Sequence, residues 1–217
     1  MGIDERRRQK KLMKKRKKDQ LRKKRRAESV SFGLVSEKKK ILAARGFPLY
    51  ECLINPSWRE QGLATILISR HQPNGSVVFG VYLVDVFCLG LKNTFCNVDF
   101  SVWRYETEVR DKVYRDEEPV ECPVSLVHHI IYGAIEFARR FGFKPNKDFS
   151  LSQYILEPRE SLEPCEGIEF GKDGRPFYIA GPGDNVEYVM RQLEQVVGYE
   201  NFGFLYSPGE LGPFTNH

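Results

Sequence analysis

No stretch of this sequence approaches the roughly 18 consecutive apolar residues of a membrane span, so a helical membrane anchor is not expected. No apolar segment follows the basic N-terminus, which excludes the pattern of a secretory signal. The same segment is Lys-dominated and Ser-poor and has no apolar face, which fits a mitochondrial presequence badly. Met1-Gly2 opens like a myristoylation site, but Arg6 stands where that pattern needs Ser or Thr. Cysteine is scarce and odd in number: Cys52, Cys88, Cys96, Cys122 and Cys165 are widely spread, with no C-x2-C spacing of a zinc site. Free thiols in a reducing compartment are expected, with Cys52, Cys88 and Cys96 in apolar surroundings. The chain also lacks a P-loop, a dinucleotide fingerprint and RNP-like motifs. No cofactor and no metal are expected.

Charge is abundant and unevenly placed. The chain holds 34 basic and 29 acidic residues. Fifteen of the basic ones fall in the first 26 positions: Arg6, Arg7, Arg8, Lys10, Lys11, Lys14, Lys15, Arg16, Lys17, Lys18, Arg22, Lys23, Lys24, Arg25 and Arg26. Only Asp4, Glu5 and Asp19 oppose them there, a net of about +12. The rest keeps 19 basic against 26 acidic residues, about −7. A polycationic tail on an acidic body points to a polyanion as partner, above all nucleic acid. A polybasic tail alone would bind an anionic membrane only weakly.

The tail has no Gly or Pro after Gly2, and its few apolar residues (Leu12, Met13, Leu21) form no stripe. Free, it is expected to be disordered or a flickering helix, because like charges repel; phosphates would relieve that repulsion. We place the tail and linker at residues 1–45 and a globular domain at 46–217. Ile41–Arg45 reads as a short helix capped by Gly46. Leu63–His71 is rich in β-branched and apolar residues, Gln72-Pro73-Asn74-Gly75 is a turn, and Ser76–Cys88 returns as a central strand buried on both faces. Ser101 caps a helix over Val102–Tyr114. Ser125–Phe141 is the clearest helix, with its apolar face on Leu126, Val127, Ile130, Ile131, Ala134, Phe137, Ala138 and Phe141, and Gly142 stops it. Phe149–Leu156 reads as a short helix. Ile168–Phe170 and Phe177–Ala180 flank a Gly171–Gly174 turn and read as a second hairpin. Asp184 caps a helix over Asn185–Val197, ended by Gly198, and Phe202–Tyr206 is a last strand. Without regular βαβ alternation the expected class is α+β, a single compact domain of mixed hairpins and amphipathic helices.

The most unusual stretch of the body runs from Val84 to Asn93. Asp85 interrupts an apolar strand, and Cys88 and Lys92 follow where the strand runs into a Gly-containing loop. One reading makes Cys88 a nucleophile with His128 or His129 as base, in a hydrolase or nuclease fed by the tail. The preferred reading is a core Cys and an Asp that ties down the loop through backbone amides or Lys92. His128 and His129 point about 100° apart and cannot share one metal; a hydrogen-bonded structural His is preferred to a general base. Gly181-Pro182-Gly183-Asp184 could be an anion nest, but Asp184 would repel phosphate, so a tight turn is preferred. Arg139, Arg140, Lys144 and Lys147 form a basic cluster that complements a helix dipole or extends the phosphate track, the first preferred. Trp58, Phe79, Tyr82, Phe95, Trp103 and Tyr105 could stack bases on an exposed sheet face, with core packing preferred.

The stretches GLATILISR, VYLVDVFCLGLKN, HHIIYGAIEFARRFGFKPNKDF and FYIAGPGDN resemble a family of uncharacterised bacterial proteins that pair a Lys/Arg-rich N-terminus with a compact body. The resemblance covers about Phe47 to Tyr206 and implies no activity, cofactor or catalytic residue. The expectation is therefore a cytoplasmic protein whose tail contacts nucleic acid, structured and even ribosomal RNA ahead of DNA. The acidic body would meet a protein partner or an RNA shape. An interaction module with a nuclear-import tail (KKRKK, RKKRR) is a further reading.

Overall fold

The computed structural model describes residues 19–20, 22–23, 36–159 and 167–205. The chain divides into two units, Met1–Lys40 and Ile41–His217. In the first, residues 19–20, 22–23 and 36–40 are helical, and most of the expected basic tail lies outside the described residues. The sheet and the helices that cover it belong to the second unit. It begins at Ile41 rather than Gly46, because Ile41 and Ala44 are buried in its core. Ala44–Gly46 forms a 3₁₀ turn. Gly46 lies inside it rather than capping it: Phe47, which precedes Pro48, is forced into extended backbone and ends the turn.

The framework is an antiparallel sheet in the order β4-β3-β2-β1-β5. Its strands are β1 (Leu49–Ile54), β2 (Leu63–His71), β3 (Val77–Asp85), β4 (Gly90–Phe100) and β5 (Val120–Glu121). β2 and the Asn74-Gly75 turn fall where the sequence put them, with Gly75 at φ +79°. β3 lies between β2 and β4 and is buried along nearly its whole length. It stops at Asp85, short of Cys88, because the Asp85 side chain takes over the next backbone donors.

Helices cover both sheet faces. The short α1 (Trp58–Gln61) links β1 to β2. After β4, Ser101 accepts the Arg104 N–H and starts α2 (Val102–Tyr105), which runs through a π-helical turn (Glu106–Arg110) into α3 (Asp111–Val113). This run packs Tyr105, Val109 and Tyr114 against Leu53, Leu67, Phe79 and Val81 on one face. The opposite face (Ile54, Ile66, Ile68, Val78, Tyr82, Val84) packs against α4 (Val124–Arg139) through Val127, Ile130, Ile131 and Ala134. A strand apolar on both sides is what a sheet between two helical layers requires. α4 ends as expected: Gly142 has φ +85°, its N–H bonds the Arg139 carbonyl, and the Phe143 N–H reaches back to Ala138. The short α5 (Phe149–Ser152) follows, with Tyr82 donating to the Ser152 carbonyl at 2.8 Å.

The expected second hairpin is corrected. Lys172 and Arg175 close a tight turn over Asp173 and Gly174, both at positive φ, but the pairing stops at that single bridge. β6 (Phe177–Ile179) instead pairs in parallel with β7 (Gly203–Leu205), across α6 (Val186–Val197). The cap of α6 is Asn185, whose side chain accepts the Tyr188 N–H, and not Asp184, whose carboxylate is engaged elsewhere. Of the six singled-out aromatics, Trp58, Phe79, Tyr82 and Tyr105 are buried, whereas Phe95 and Trp103 are exposed.

Gly90 is the point where α4 presses on the sheet. It has φ +70°, and a Cβ there would meet the Ala138 Cβ at 2.8 Å and the Ala134 carbonyl at 2.9 Å. Gly90→Ala combines a left-handed backbone with a backbone clash and is expected to cost about 2–3 kcal/mol by urea denaturation.

Candidate functional site

Asp85, Cys88 and Lys92 are brought together at the β3–β4 turn. Asp85 is buried, 7% exposed as a residue. Its Oδ1 accepts the N–H groups of Phe87 and Cys88, both at 2.9 Å, and its Oδ2 that of Leu89 at 3.1 Å. Burial pushes its pKa above the ordinary range, against the pull of those three donors and of Lys92. The turn is also anchored outward: Val86 N–H bonds Gly62, and the Val86 and Phe87 carbonyls accept from Gly171 and Phe177. This is the loop-tying role expected for an Asp inside an apolar strand.

Lys92 lies on β4, not in a loop. Leu83 pairs with Asn93 and Val84 with Leu91, so Lys92 is the extra residue of a β-bulge. A bulge re-aims a side chain. Here Lys92 Nζ meets Asp184 Oδ2 at 2.8 Å, with the two side chains 18% and 12% exposed. The same oxygen accepts from Gly181 N–H at 3.0 Å and Tyr178 Oη at 3.3 Å. The Gly181–Asp184 segment is thus the tight turn preferred from its sequence, with the aspartate carboxylate filling its amide pocket. The pair borders a cleft of about 430 Å³, walled by Leu89, Leu91, Phe143 and Val189 and rimmed by Lys144, Asn146 and Tyr188.

The histidines are not part of this arrangement. Cys88 packs among Phe137, Ala138, Phe141 and Tyr178, beside the C-terminal end of α4. His128 sits ten residues before Ala138 on that helix, about 15 Å along its axis. Its Nε2 bonds the Glu157 carbonyl at 3.1 Å, and its ring lies 4.5 Å from Tyr132. His129 lies beside Phe170. Among the described residues no histidine contacts Cys88, so no Cys–His dyad is formed. Burial, with the Asp85 charge adding to it, pushes the Cys88 thiol up, opposite to the activation a nucleophile needs. Among the described residues no group of three His, Cys, Asp or Glu side chains is placed to hold a metal. No described helix is long and apolar enough to cross a membrane.

Burial holds the His128 pKa below the usual histidine range of about 6.5. The unfolded chain therefore takes up a proton there before the folded one does. Stability should fall as pH drops below about 6.5, by at most about 1.4 kcal/mol per pH unit from this group. His128→Gln is expected to flatten that part of a stability–pH curve measured by urea denaturation.

Arg139, Arg140, Lys144 and Lys147, at and beyond the end of α4, are all exposed, and none is ion-paired among the described residues. Arg140 lies over the Phe137 ring. Nothing local in the sequence signals the Asp184 partnership or the approach of Cys52 to Cys122, whose sulfurs lie 3.8 Å apart. Both join segments far apart in the chain.

No family model matches this chain, no curated protein matches it, and no solved structure matches it. What the fold itself defines is an α+β protein whose five-stranded antiparallel sheet is covered by helices on both faces.

Proposed function

We propose that this protein binds nucleic acid, structured RNA first, through its polycationic N-terminal segment. The observation that carries the reading is the concentration of fifteen Lys and Arg in the first 26 residues, against an acidic remainder. Such a run neutralises phosphates and releases their counterions, giving affinity that depends little on sequence. The exposed cations Arg139, Arg140, Lys144 and Lys147 support a further phosphate contact on the body, with the neighbouring cleft available for selectivity. Lys92 adds little to such a patch, because Asp184 neutralises it. The acidic balance of the rest of the body favours recognition of a protein partner or an RNA shape over further phosphate binding.

The test is direct titration of a labelled RNA hairpin and a DNA duplex with the full chain and with a chain lacking residues 1–26. At low salt the truncation is expected to weaken binding at least about a hundredfold. Equal affinities would show that the tail does not carry the binding. A polycation reads charge rather than the 2′-hydroxyl, so any RNA preference that survives truncation belongs to the body.

A further inference from the structure

β5 is a two-residue strand at the sheet edge, held to β1 by the pairs Leu53/Glu121 and Ile54/Val120. The next pair in that register is Cys52 and Cys122. The Cys122 N–H donates to the Cys52 carbonyl at 3.0 Å, and the two Sγ atoms stand 3.8 Å apart, both as free thiols. Directly opposed residues of a hydrogen-bonded antiparallel pair have Cα atoms about 5.5 Å apart, inside the range of about 4.4–6.8 Å that a disulfide bridges. Closing the bond therefore needs side-chain rotation and little backbone movement.

We propose that Cys52 and Cys122 form a reversible oxidation site that closes to a cross-strand disulfide by exchange with a low-molecular-weight disulfide of the oxidised-glutathione class. In the first step the Cys122 thiolate attacks one sulfur of that reagent, forming a mixed disulfide and expelling one small thiolate. In the second, Cys52 gives up its proton and attacks Cys122 Sγ, forming the protein disulfide and expelling the second thiolate. The two protein thiols lose two electrons and two protons in all, and the reagent disulfide gains them as two thiols.

The order of attack follows from the surroundings. Cys122 is half-buried and within reach of a reagent, whereas Cys52 is 4% exposed. The contact between the sulfurs acts in the same sense: it holds the Cys122 thiol below its ordinary range and pushes Cys52 up. Cys122 is therefore the attacking group and Cys52 the resolving one. Reversibility follows from access: the bridge would lie at the sheet edge with Cys122 half-buried, where a reducing thiol can reach it. Cys88 and Cys96 have no sulfur neighbour among the described residues. The bond would pin the edge strand just where the chain leaves the acidic segment Asp116-Glu117-Glu118 and, through Pro123, enters α4.

The experiment treats the full chain, natively folded, with excess oxidised glutathione at mildly alkaline pH, quenches with acid, and reads intact mass and peptide map. The expected product has lost the mass of two hydrogens, joins the Cys52 and Cys122 peptides, and returns to the starting mass with dithiothreitol. Cys52→Ser should instead accumulate a glutathione adduct on Cys122, and Cys122→Ser should leave Cys52 unmodified. A stable adduct on Cys122 of the unsubstituted protein would overturn the proposal. So would thiols at these two positions that react only after unfolding in urea.

Discussion

Raising the salt from about 50 to about 200 mM is expected to weaken RNA binding by about 10³–10⁵. The expectation follows from counterion release. Fifteen cations lie between Arg6 and Arg26, enough to neutralise 6–10 phosphates even when several point away from the nucleic acid. Each neutralised phosphate of a duplex adds about 0.9 to the slope of log affinity against log salt, so the full chain should show a slope of about −5 to −9. Removing residues 1–26 should take away most of that slope, leaving about one for each phosphate that the body cations neutralise. Replacing Arg139, Arg140, Lys144 and Lys147 by Gln should make it shallower by about one for each phosphate that is no longer neutralised, with little change in sequence preference. A loss below tenfold across that salt range would show that charge is not what holds the complex together.

The largest single-residue effect on the fold is expected at Asp85. Its carboxylate satisfies the N–H groups of three consecutive residues in a buried turn. Asp85→Ala leaves all three unpaired at about 1–3 kcal/mol each. The expected destabilisation is about 4–5 kcal/mol, a fall in Tm of about 8–20 °C for a chain of this size. Asp85→Asn keeps an oxygen for Phe87 and Cys88 but turns an amide N–H₂ toward the Leu89 donor, so it should lose clearly less. Urea denaturation of the three proteins checks the order. An alanine variant within about 1 kcal/mol of the parent would mean the turn is held by its outward bonds to Gly62, Gly171 and Phe177 instead.

The parts of the fold that were legible in the sequence are those specified by neighbouring residues. β2, the Asn74-Gly75 turn, the Ser101 cap and the α4–Gly142 stop all rest on contacts a few residues apart. β4 was hidden because its bulge at Lys92 breaks the two-residue period, and a second irregularity near Asp99, at φ +60°, breaks it again. β1 and β5 were hidden because their pairing closes over a long connection, with β5 only two residues long. The parallel pairing of β6 and β7 overrode a local hairpin signal that was real but reached only one bridge. The site divides in the same way. Asp85, Cys88 and Lys92 could be grouped because they are close in the chain. Asp184, 92 residues from the lysine it neutralises, has the sequence context of a helix cap, and a Cys–His pairing could only be judged once α4 had separated the two groups.

Recruitment of nucleic acid by the N-terminal basic segment is tested most directly by recovering partners from cells. The full chain and a chain lacking residues 1–26 are each captured from lysate, with and without RNase or DNase. The full chain is expected to bring down nucleic acid that RNase and not DNase removes, and the truncated chain to bring down far less. Recovery of the same partner by both chains after nuclease treatment would contradict this and move the binding function to the acidic body.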